Sequence, residues 1–149
     1  MEYTLRIATC EDLPAIDELV KEMFRSITGE ADPKGYESGA LDYYFSGGED
    51  RILVAEVNKK VVAFLSIEVH HDRGDYLYFD DFCVSPTFRS LGIGTAMAEK
   101  AEIFAKSIGA TAIALHVEKT NSGAQKLYKQ LGFEISGERD SRHLMIKEL

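Results

Sequence analysis

One turn constrains this chain more than any other feature, because it joins a strand to a helix through two closely spaced glycines. The turn, Arg89-Ser-Leu-Gly92-Ile-Gly94, follows an apolar strand that ends at Val84, and helical periodicity begins at Thr95. Glycines leave the backbone bare, so several N–H groups can converge on one point. The start of a helix also carries unpaired N–H groups and the positive end of the helix dipole. The turn therefore predicts a site for a pyrophosphate.

Two other phosphate-binding patterns do not fit the same residues. A P-loop requires Gly-Lys-Ser/Thr, whereas Gly94 is followed by Thr95 and Ala96. A dinucleotide-binding fold places its glycine turn after the first strand of a parallel unit, whereas this turn comes in mid-chain after hairpin-like strands. Taken alone, the glycines leave open a turn that requires them only for a positive φ.

The length and composition predict one globular domain over residues 1–149. The chain has 149 residues, of which 45% are hydrophobic and 28% charged, as in ordinary soluble domains. No apolar run approaches the ~18 residues of a membrane span, and the N-terminus lacks the apolar segment of a signal peptide. We therefore expect a cytoplasmic protein with no membrane partner.

The charge and the cysteines narrow the choice of partners. The formal net charge of −8 argues against nucleic acid and suits a cationic substrate. Cys10 and Cys83 lack metal or redox spacing, so we expect buried or semi-buried free thiols. His70 and His71 lie beside Asp72 without a third spaced ligand, and we predict no metal site.

Hydrophobic periodicity predicts an α+β fold. Alternating apolar residues predict strands over 4–8, 51–57, 60–69, 76–84, 111–117, 133–137 and 143–147. Apolar spacings of three and four predict helices over 13–26, 37–45, 95–107 and 121–131. Thr9 and Asp12 are typical of a capping box before the first helix. Because hairpins and crossover helices both occur in this order, we expect a mixed sheet.

Two motifs resemble those of the GNAT superfamily of N-acetyltransferases. Val84-Ser-Pro-Thr-Phe-Arg89-Ser-Leu-Gly92-Ile-Gly94 is similar to the family's acetyl-CoA pyrophosphate loop. Asn121-Ser-Gly-Ala124-Gln-Lys-Leu-Tyr128-Lys-Gln-Leu-Gly132-Phe133 is similar to its second signature, and the resemblance covers almost the whole chain. It implies a mixed, mostly antiparallel central sheet of about seven strands with helices on both faces, and by analogy a homodimer.

The resemblance also implies which residues contact acetyl-CoA. The pyrophosphate is expected on Arg89, Ser90, Leu91, Gly92, Ile93, Gly94 and Thr95, and the pantetheine arm beside Phe82, Cys83, Val84, Asn121 and Ala124. A backbone N–H near Val84 is expected to donate to the thioester carbonyl oxygen. The family usually has glycine where Ser90 stands, and we expect little loss because that position supplies mainly backbone.

Acetyl transfer to an amine needs a base and an acid, and the resemblance implies both. Tyr128 is expected to protonate the leaving thiolate, with an ordinary pKa of about 10. Tyr76-Leu-Tyr-Phe-Asp80-Asp81-Phe-Cys-Val84 is more weakly similar to a strand of spermidine/spermine N-acetyltransferases, which have glutamate at the position of Asp80. Asp80 is therefore the expected base, and Asp81 is the reserve base or a contact for the substrate ammonium. Glu30, in the loop after the first helix, is an expected contact for a cationic acceptor, because long loops often determine specificity. Solvated carboxylates are the alternative interpretation.

Together these residues predict an acetyl-CoA-dependent N-acetyltransferase that acts on a primary amine of a small cationic acceptor such as a polyamine. His116, near the end of its strand, is a minor candidate for the site. The alternatives are a protein or peptide N-terminal amine as acceptor, and a non-catalytic acyl-CoA-binding module.

Overall fold

A computed structural model describes residues 2–149 as a seven-stranded sheet with three α-helices. The strands are β1 (Thr4–Ile7), β2 (Arg51–Val57), β3 (Lys60–His70), β4 (Tyr76–Val84), β5 (Ala112–Glu118), β6 (Glu134–Arg139) and β7 (Arg142–Glu148). The helices are α1 (Leu13–Thr28), α2 (Ile93–Ser107) and α3 (Ser122–Gln130). The strand order is β1-β2-β3-β4-β5-β7-β6, with β4 and β5 parallel and β1–β2, β5–β7 and β6–β7 antiparallel. The predicted α+β class with a mixed, mostly antiparallel sheet is confirmed.

Local chemistry explains where α1 begins and ends. The Thr9 N–H donates to the Asp12 carboxylate at 2.8 Å, which is half of the predicted capping box. Gly29, with a φ of 73°, ends the helix in the left-handed conformation that glycine adopts readily. The helix therefore forms as predicted and runs through Thr28 rather than stopping at position 26.

The β2–β3 hairpin also follows from its sequence. Both central residues of its turn, Asn58 and Lys59, have positive φ, 51° and 65°. Two such residues give the type I′ turn whose twist matches that of paired strands. Asparagine tolerates this conformation well, so the turn residues fix the strand register.

The chain divides into two compact units, each with its own buried residues. The first comprises the residues up to Ser66 together with Asp81–Met97. Its core contains side chains of α1, β2, β3 and β4, among them Ile16, Val20, Ile52, Val54, Phe64 and Cys83. The second comprises Ile67–Asp80 and Ala98–Leu149, and its buried residues include Leu77, Phe79, Ala101, Ile113, Leu115 and Met145. A single domain over 1–149 stays a prediction.

Two helix predictions need correction. The segment 37–45 is not an α-helix but a turn followed by a short 3-10 helix, Asp42–Phe45. Gly39, with a φ of 82°, interrupts the helical backbone there. The second α-helix begins at Ile93, two residues earlier than predicted. Within residues 2–149, none of the helices is long and apolar enough to cross a membrane.

The two cysteines lie in different surroundings. Cys10 is exposed in the 3-10 turn before α1, so the prediction of a buried or semi-buried thiol is wrong for it. Cys83 is buried in the core of the first unit, as predicted. Both are free thiols.

Candidate functional site

The turn before α2 presents unpaired backbone donors. Ser90 and Gly92 both have left-handed backbone, with φ of 62° and 83°. The Ala96 N–H donates to the Gly92 carbonyl at 3.0 Å, which is the first bond of the helix. The amides of Ile93 and Gly94 therefore precede the hydrogen-bonded part of the helix and have no partner within it. With the positive end of the dipole behind them, these amides suit an anion.

The two glycines of this turn are present for different reasons. Gly92 needs its positive φ, which other residues adopt only with strain. Gly94 has no positive φ, and a Cβ built there would lie 3.8 Å from Phe82 Cζ and 3.8 Å from Val84 Cγ2, which are ordinary contacts. Neither the backbone nor the packing of the described residues therefore requires glycine at position 94. A ligand that lies close to the backbone would explain why this position has glycine.

Arg89 fixes the turn to the end of the preceding strand. Its Nε donates to the Val84 carbonyl at 3.0 Å, and the Phe88 N–H donates to the Ser85 carbonyl at 2.9 Å. The side chain of Arg89 therefore has a structural bond in addition to its charge. The loop shape depends on this bond and on the two left-handed residues.

Some backbone groups of β4 point toward β3, and the others point to the opposite edge of the strand. The Ser85 N–H donates to the Val62 carbonyl of β3 at 2.8 Å, and the Asp81 N–H donates to Ser66 Oγ of β3 at 2.8 Å. Since backbone groups alternate along an antiparallel strand, those of Phe82 point to the opposite edge.

Val84 follows the same alternation as Phe82, so its N–H and carbonyl also point to the edge of β4 away from β3. The ladder between β4 and β5 starts at the Tyr76–Ala112 pair and ends at the Phe79–Leu115 pair, although β4 continues to Val84. This edge is where the resemblance predicted the pantetheine contacts.

Cys83 differs from its two neighbours on β4. By the same alternation its backbone groups point toward β3, and its thiol lies 3.1 Å from Met23 Sδ. Burial, followed by the charge of Asp81, raises the pKa of Cys83 to about 12. The residue is therefore a neutral core thiol and not a nucleophile.

Asp81 is held by a tyrosine that the sequence analysis did not single out. The Tyr36 hydroxyl donates to the Asp81 carboxylate, and the Tyr36 N–H donates to Asp17 Oδ1 of α1 at 2.8 Å. A Cβ at Gly35 would lie 2.0 Å from Asp17 Oδ1, so this attachment to α1 requires glycine. The loop that follows α1 is thus tied to the helix and to β4. A tyrosine in a polar loop gave no sequence signal for this role.

Glu30 lies in the same loop but is differently placed. Its side chain is exposed, and its backbone N–H donates to Thr28 Oγ1 at 3.3 Å, close to the end of α1. Its role as a substrate contact stays a prediction.

In the second unit, Asn121 caps α3 as predicted. Its Oδ1 accepts a hydrogen bond from the Ala124 N–H at 3.1 Å, which satisfies one donor of the first turn. The cap therefore occupies the side-chain oxygen of Asn121, and its amide NH₂ is the group that can contact a ligand.

Tyr128 lies on the half-buried side of α3. Its ring makes an edge contact with Phe133, with 5.8 Å between the ring centres, and its carbonyl accepts the Phe133 N–H at 2.9 Å. Phe133 in turn contacts Phe79 of β4, with ring centres 6.2 Å apart. The aromatic contacts with Phe133 therefore fix the position of the phenol ring, and the role of Tyr128 as general acid stays a prediction.

Tyr78 and His116 form a hydrogen-bonded pair that links β4 to β5. The Tyr78 hydroxyl and His116 Nδ1 are 2.6 Å apart. Burial, and to a smaller extent the charges of Arg142 and Arg139, lowers the pKa of His116, so the ring is neutral at pH 7, and Nδ1 accepts the hydroxyl proton when the ring proton is on Nε2. Burial raises the pKa of Tyr78.

Asp80 follows Tyr78 by two residues on β4, so the two side chains lie on the same face of the sheet. The side chain of Asp80 is exposed. The second unit thus brings together a carboxylate, a phenol and a neutral imidazole. Asp80 and, as a minor candidate, His116 were predicted from the sequence, whereas Tyr78 was not. Only the register of β4 against β5, in which Tyr78 lies opposite Ala114, could have indicated the pair. Among residues 2–149, no group of three or more His, Cys, Asp or Glu is placed to hold a metal ion.

Comparison with known sequences identifies relatives. The acetyltransferase (GNAT) family matches residues 14–133. A protein described as an uncharacterized N-acetyltransferase from Methanocaldococcus jannaschii is 32% identical over 137 residues, which are 89% of this chain and 61% of that relative. The GCN5-related N-acetyltransferase 4, chloroplastic, from Arabidopsis thaliana is 45% identical over 56 residues, which are 38% of this chain and 19% of the relative. The chain thus spans less than two thirds of the length of these relatives.

Solved structures share the fold. The PaiA N-acetyltransferase from Thermoplasma acidophilum in complex with coenzyme A superposes with a TM-score of 0.83 at 17% identity, over 100% of both chains. The ribosomal-protein-S18-alanine N-acetyltransferase from Escherichia coli gives a TM-score of 0.78 at 20% identity, over 99% of this chain and 94% of that chain. The family match, the shared fold and the glycine turn agree with one another, and the chain belongs to the acetyltransferase (GNAT) family.

Proposed function

We propose that this protein transfers an acetyl group from acetyl-CoA to the primary amine of a small acceptor. The observation that carries the proposal is the start of α2, where the amides of Ile93 and Gly94 are unpaired within the helix and a Cβ at position 94 would make only ordinary contacts, so that packing does not require its glycine. Membership of the acetyltransferase (GNAT) family supports it. Coenzyme A in the structure of the PaiA N-acetyltransferase supports the choice of ligand.

Acetyl-CoA supplies an activated thioester, and this chain supplies the contacts that hold it. The amides from Ser90 to Thr95 bind the pyrophosphate with the helix dipole behind them. Phe82 offers its N–H and carbonyl, and Val84 its N–H, on the edge of β4 away from β3, where the pantetheine amides can pair like an additional strand. The Val84 carbonyl is engaged by Arg89 Nε. Asn121 contributes its side-chain NH₂, since its oxygen is engaged in the cap.

Removal of a proton from the acceptor ammonium is the first chemical requirement. We assign this role to Asp80, whose exposed carboxylate lies on the same face of β4 as Tyr78. The Tyr78–His116 pair is a second route: the ammonium proton passes to the phenol oxygen while the phenol proton passes to His116 Nδ1. The pair is a candidate because its imidazole is kept neutral.

The neutral amine then attacks the thioester carbonyl, so that a C–N bond forms and the C–S bond breaks. The Val84 N–H is suited to stabilise the oxygen that becomes negative during attack. Tyr128 donates its phenol proton to the departing thiolate, and the nitrogen, which becomes cationic when it attacks, loses its second proton through solvent to the Tyr128 phenolate. The first proton, which the base took from the ammonium, is released to solvent, so that one proton is released for each amide and thiol formed. No metal is needed in this scheme.

The release of free thiol from acetyl-CoA against a panel of primary amines tests the proposal. We expect turnover with at least one small amine, and loss of most of it in Asp80→Asn if the carboxylate is the base. Retained turnover in Asp80→Asn with loss in His116→Gln would assign the base to the Tyr78–His116 pair. Tight coenzyme A binding without turnover on amines or peptides would instead indicate a binding module. The expected homodimer is checked separately by sedimentation.

A further inference from the structure

A β-bulge places two arginines opposite each other on the face that carries Tyr78 and His116. The β6–β7 ladder starts with Glu134 opposite Ile146, but a register shift between Ile135 and Gly137 inserts one extra residue. After the shift, Arg139 lies opposite Arg142. Without the extra residue, Glu138 would lie there and form a complementary pair. Bulges commonly redirect side chains next to functional sites.

These arginines are not neutralised within the protein. In residues 2–149, neither Arg139 nor Arg142 makes a hydrogen bond or an ion pair through its side chain. Glu118 is the register partner of Arg142 on β5, yet the two form no ion pair, and Glu138 pairs with Lys119 at 3.1 Å instead. Like charges directly opposite each other destabilise a strand pair. Arg139 has no carboxylate opposite it in this register, and Arg142 makes no ion pair with Glu118, so both guanidinium groups can bind an external anion.

The arginines are close to the proposed reaction centre. His116 lies opposite Leu144 on β7, and Arg142 is two residues from Leu144, so the two share a face as diagonal neighbours roughly 7–8 Å apart at their Cα atoms. Arg142 and Arg139 are also close enough to affect the ionisation of the His116 ring. A molecule with its amine at Tyr78 and His116 can therefore place a second group at the guanidinium groups.

We propose that Arg139 and Arg142 bind a carboxylate of the acceptor, so that the substrate is an amino acid or a similar amine that carries a carboxylate. A planar guanidinium holds a carboxylate through two parallel hydrogen bonds. This inference rests on the proposed function and specifies its acceptor. It replaces the purely cationic acceptor of the sequence analysis with a zwitterion, whose ammonium lies at Asp80 and whose carboxylate lies at the arginines.

Matched pairs of acids and amides test the assignment. Glycine, β-alanine and γ-aminobutyrate are compared with their amides as acceptors, with spermidine as a polycation. In the wild type we expect kcat/KM for at least one acid to exceed that of its amide by about 10-fold or more, the effect of one charged hydrogen-bonded contact. Arg142→Gln should remove that preference by lowering kcat/KM for the acid and leaving kcat/KM for the amide unchanged. Arg142→Lys should keep part of the preference. Lys106→Gln, an exposed charge change on α2, should leave the preference unchanged.

Each other outcome overturns the inference. Equal rates for acids and amides, or preference for spermidine, would show that the arginines do not select the acceptor while leaving acetyl transfer intact. A rise in the KM for acetyl-CoA in Arg142→Gln, with the acid preference retained, would assign the arginines to the cosubstrate. The absence of thiol release with every amine would overturn the proposed function, and the inference with it. Circular dichroism of each variant verifies that the fold is kept.

Discussion

The turn before α2 and the face of β4 and β5 that carries Tyr78 and His116 differ in the groups that they offer to the proposed function. The turn offers backbone: Ser90 and Gly92 have left-handed φ, and the amides of Ile93 and Gly94 are not bonded within the helix. The sheet face offers the side chains of Asp80, Tyr78 and His116, of which strand register pairs the last two. A site made of backbone groups is formed by residues that are consecutive in the sequence. A site made of side chains on a sheet is formed by residues of different strands, so its composition depends on how distant segments pair. The comparison predicts different responses to mutation in the two regions.

The largest effect is expected from the proposed general acid. Tyr128→Phe removes only the hydroxyl and keeps the ring contact with Phe133. We expect kcat to fall by about 100-fold, the lower end of the range for general acid catalysis, with little change in coenzyme A affinity. Steady-state kinetics and calorimetry measure the two quantities. Tyr43→Phe, at an exposed tyrosine, is the control, and a wild-type rate in Tyr128→Phe would remove Tyr128 from the mechanism.

A pH profile sharpens the choice of base on the sheet face. The pKa of His116 lies below its ordinary value, so if neutral His116 is required, kcat/KM should hold at pH 6.5 and decline only as the pH falls through that lower pKa. Arg142→Gln should move this decline to higher pH without restoring the ordinary pKa of histidine, because burial is the larger cause and remains. The profile is measured with an amide acceptor, which does not engage the arginine. A decline that does not move favours Asp80 as the base.

Stability measurements should separate the two glycines of the turn. Gly92→Ala is expected to reduce the free energy of unfolding by about 1 kcal/mol, because its φ of 83° strains any residue with a Cβ. Gly94→Ala should raise it by up to about 1 kcal/mol, since alanine is favoured within a helix. Urea unfolding without coenzyme A tests both. A destabilising Gly94→Ala would mean that the fold itself requires this glycine.

The smallest effect is expected at Ser90. Its φ of 62° is a conformation that glycine adopts more readily, so Ser90→Gly should stabilise the protein by about 0.5–1 kcal/mol. Urea unfolding measures the change. A loss of stability would show that the serine side chain makes a compensating contact, in contrast to the expectation that the position supplies mainly backbone.

The difference between local backbone features and contacts of distant side chains also decides which parts of the structure could be predicted from the sequence. The glycine turn between strand and helix, the Asn121 cap and the element boundaries depend on neighbouring residues; the turn and the cap were predicted correctly, and the boundaries of all seven strands and three helices to within two residues. The Tyr36 contact with Asp81 and the Tyr78–His116 bond join residues that are far apart in sequence, so no local pattern indicated them. The segment 37–45 was mistaken for a helix because its apolar spacing is helical, while the left-handed Gly39 prevents the conformation.

The binding of coenzyme A to the wild type and to Gly94→Glu tests the central claim most directly. The substitution introduces a side chain and a negative charge beside the amides proposed to hold the pyrophosphate. Calorimetric titration should show binding to the wild type and an affinity at least about 100-fold weaker in the variant, with Gly94→Ala as the folded, uncharged control. No binding to the wild type, or equal binding to a folded Gly94→Glu, would contradict the account.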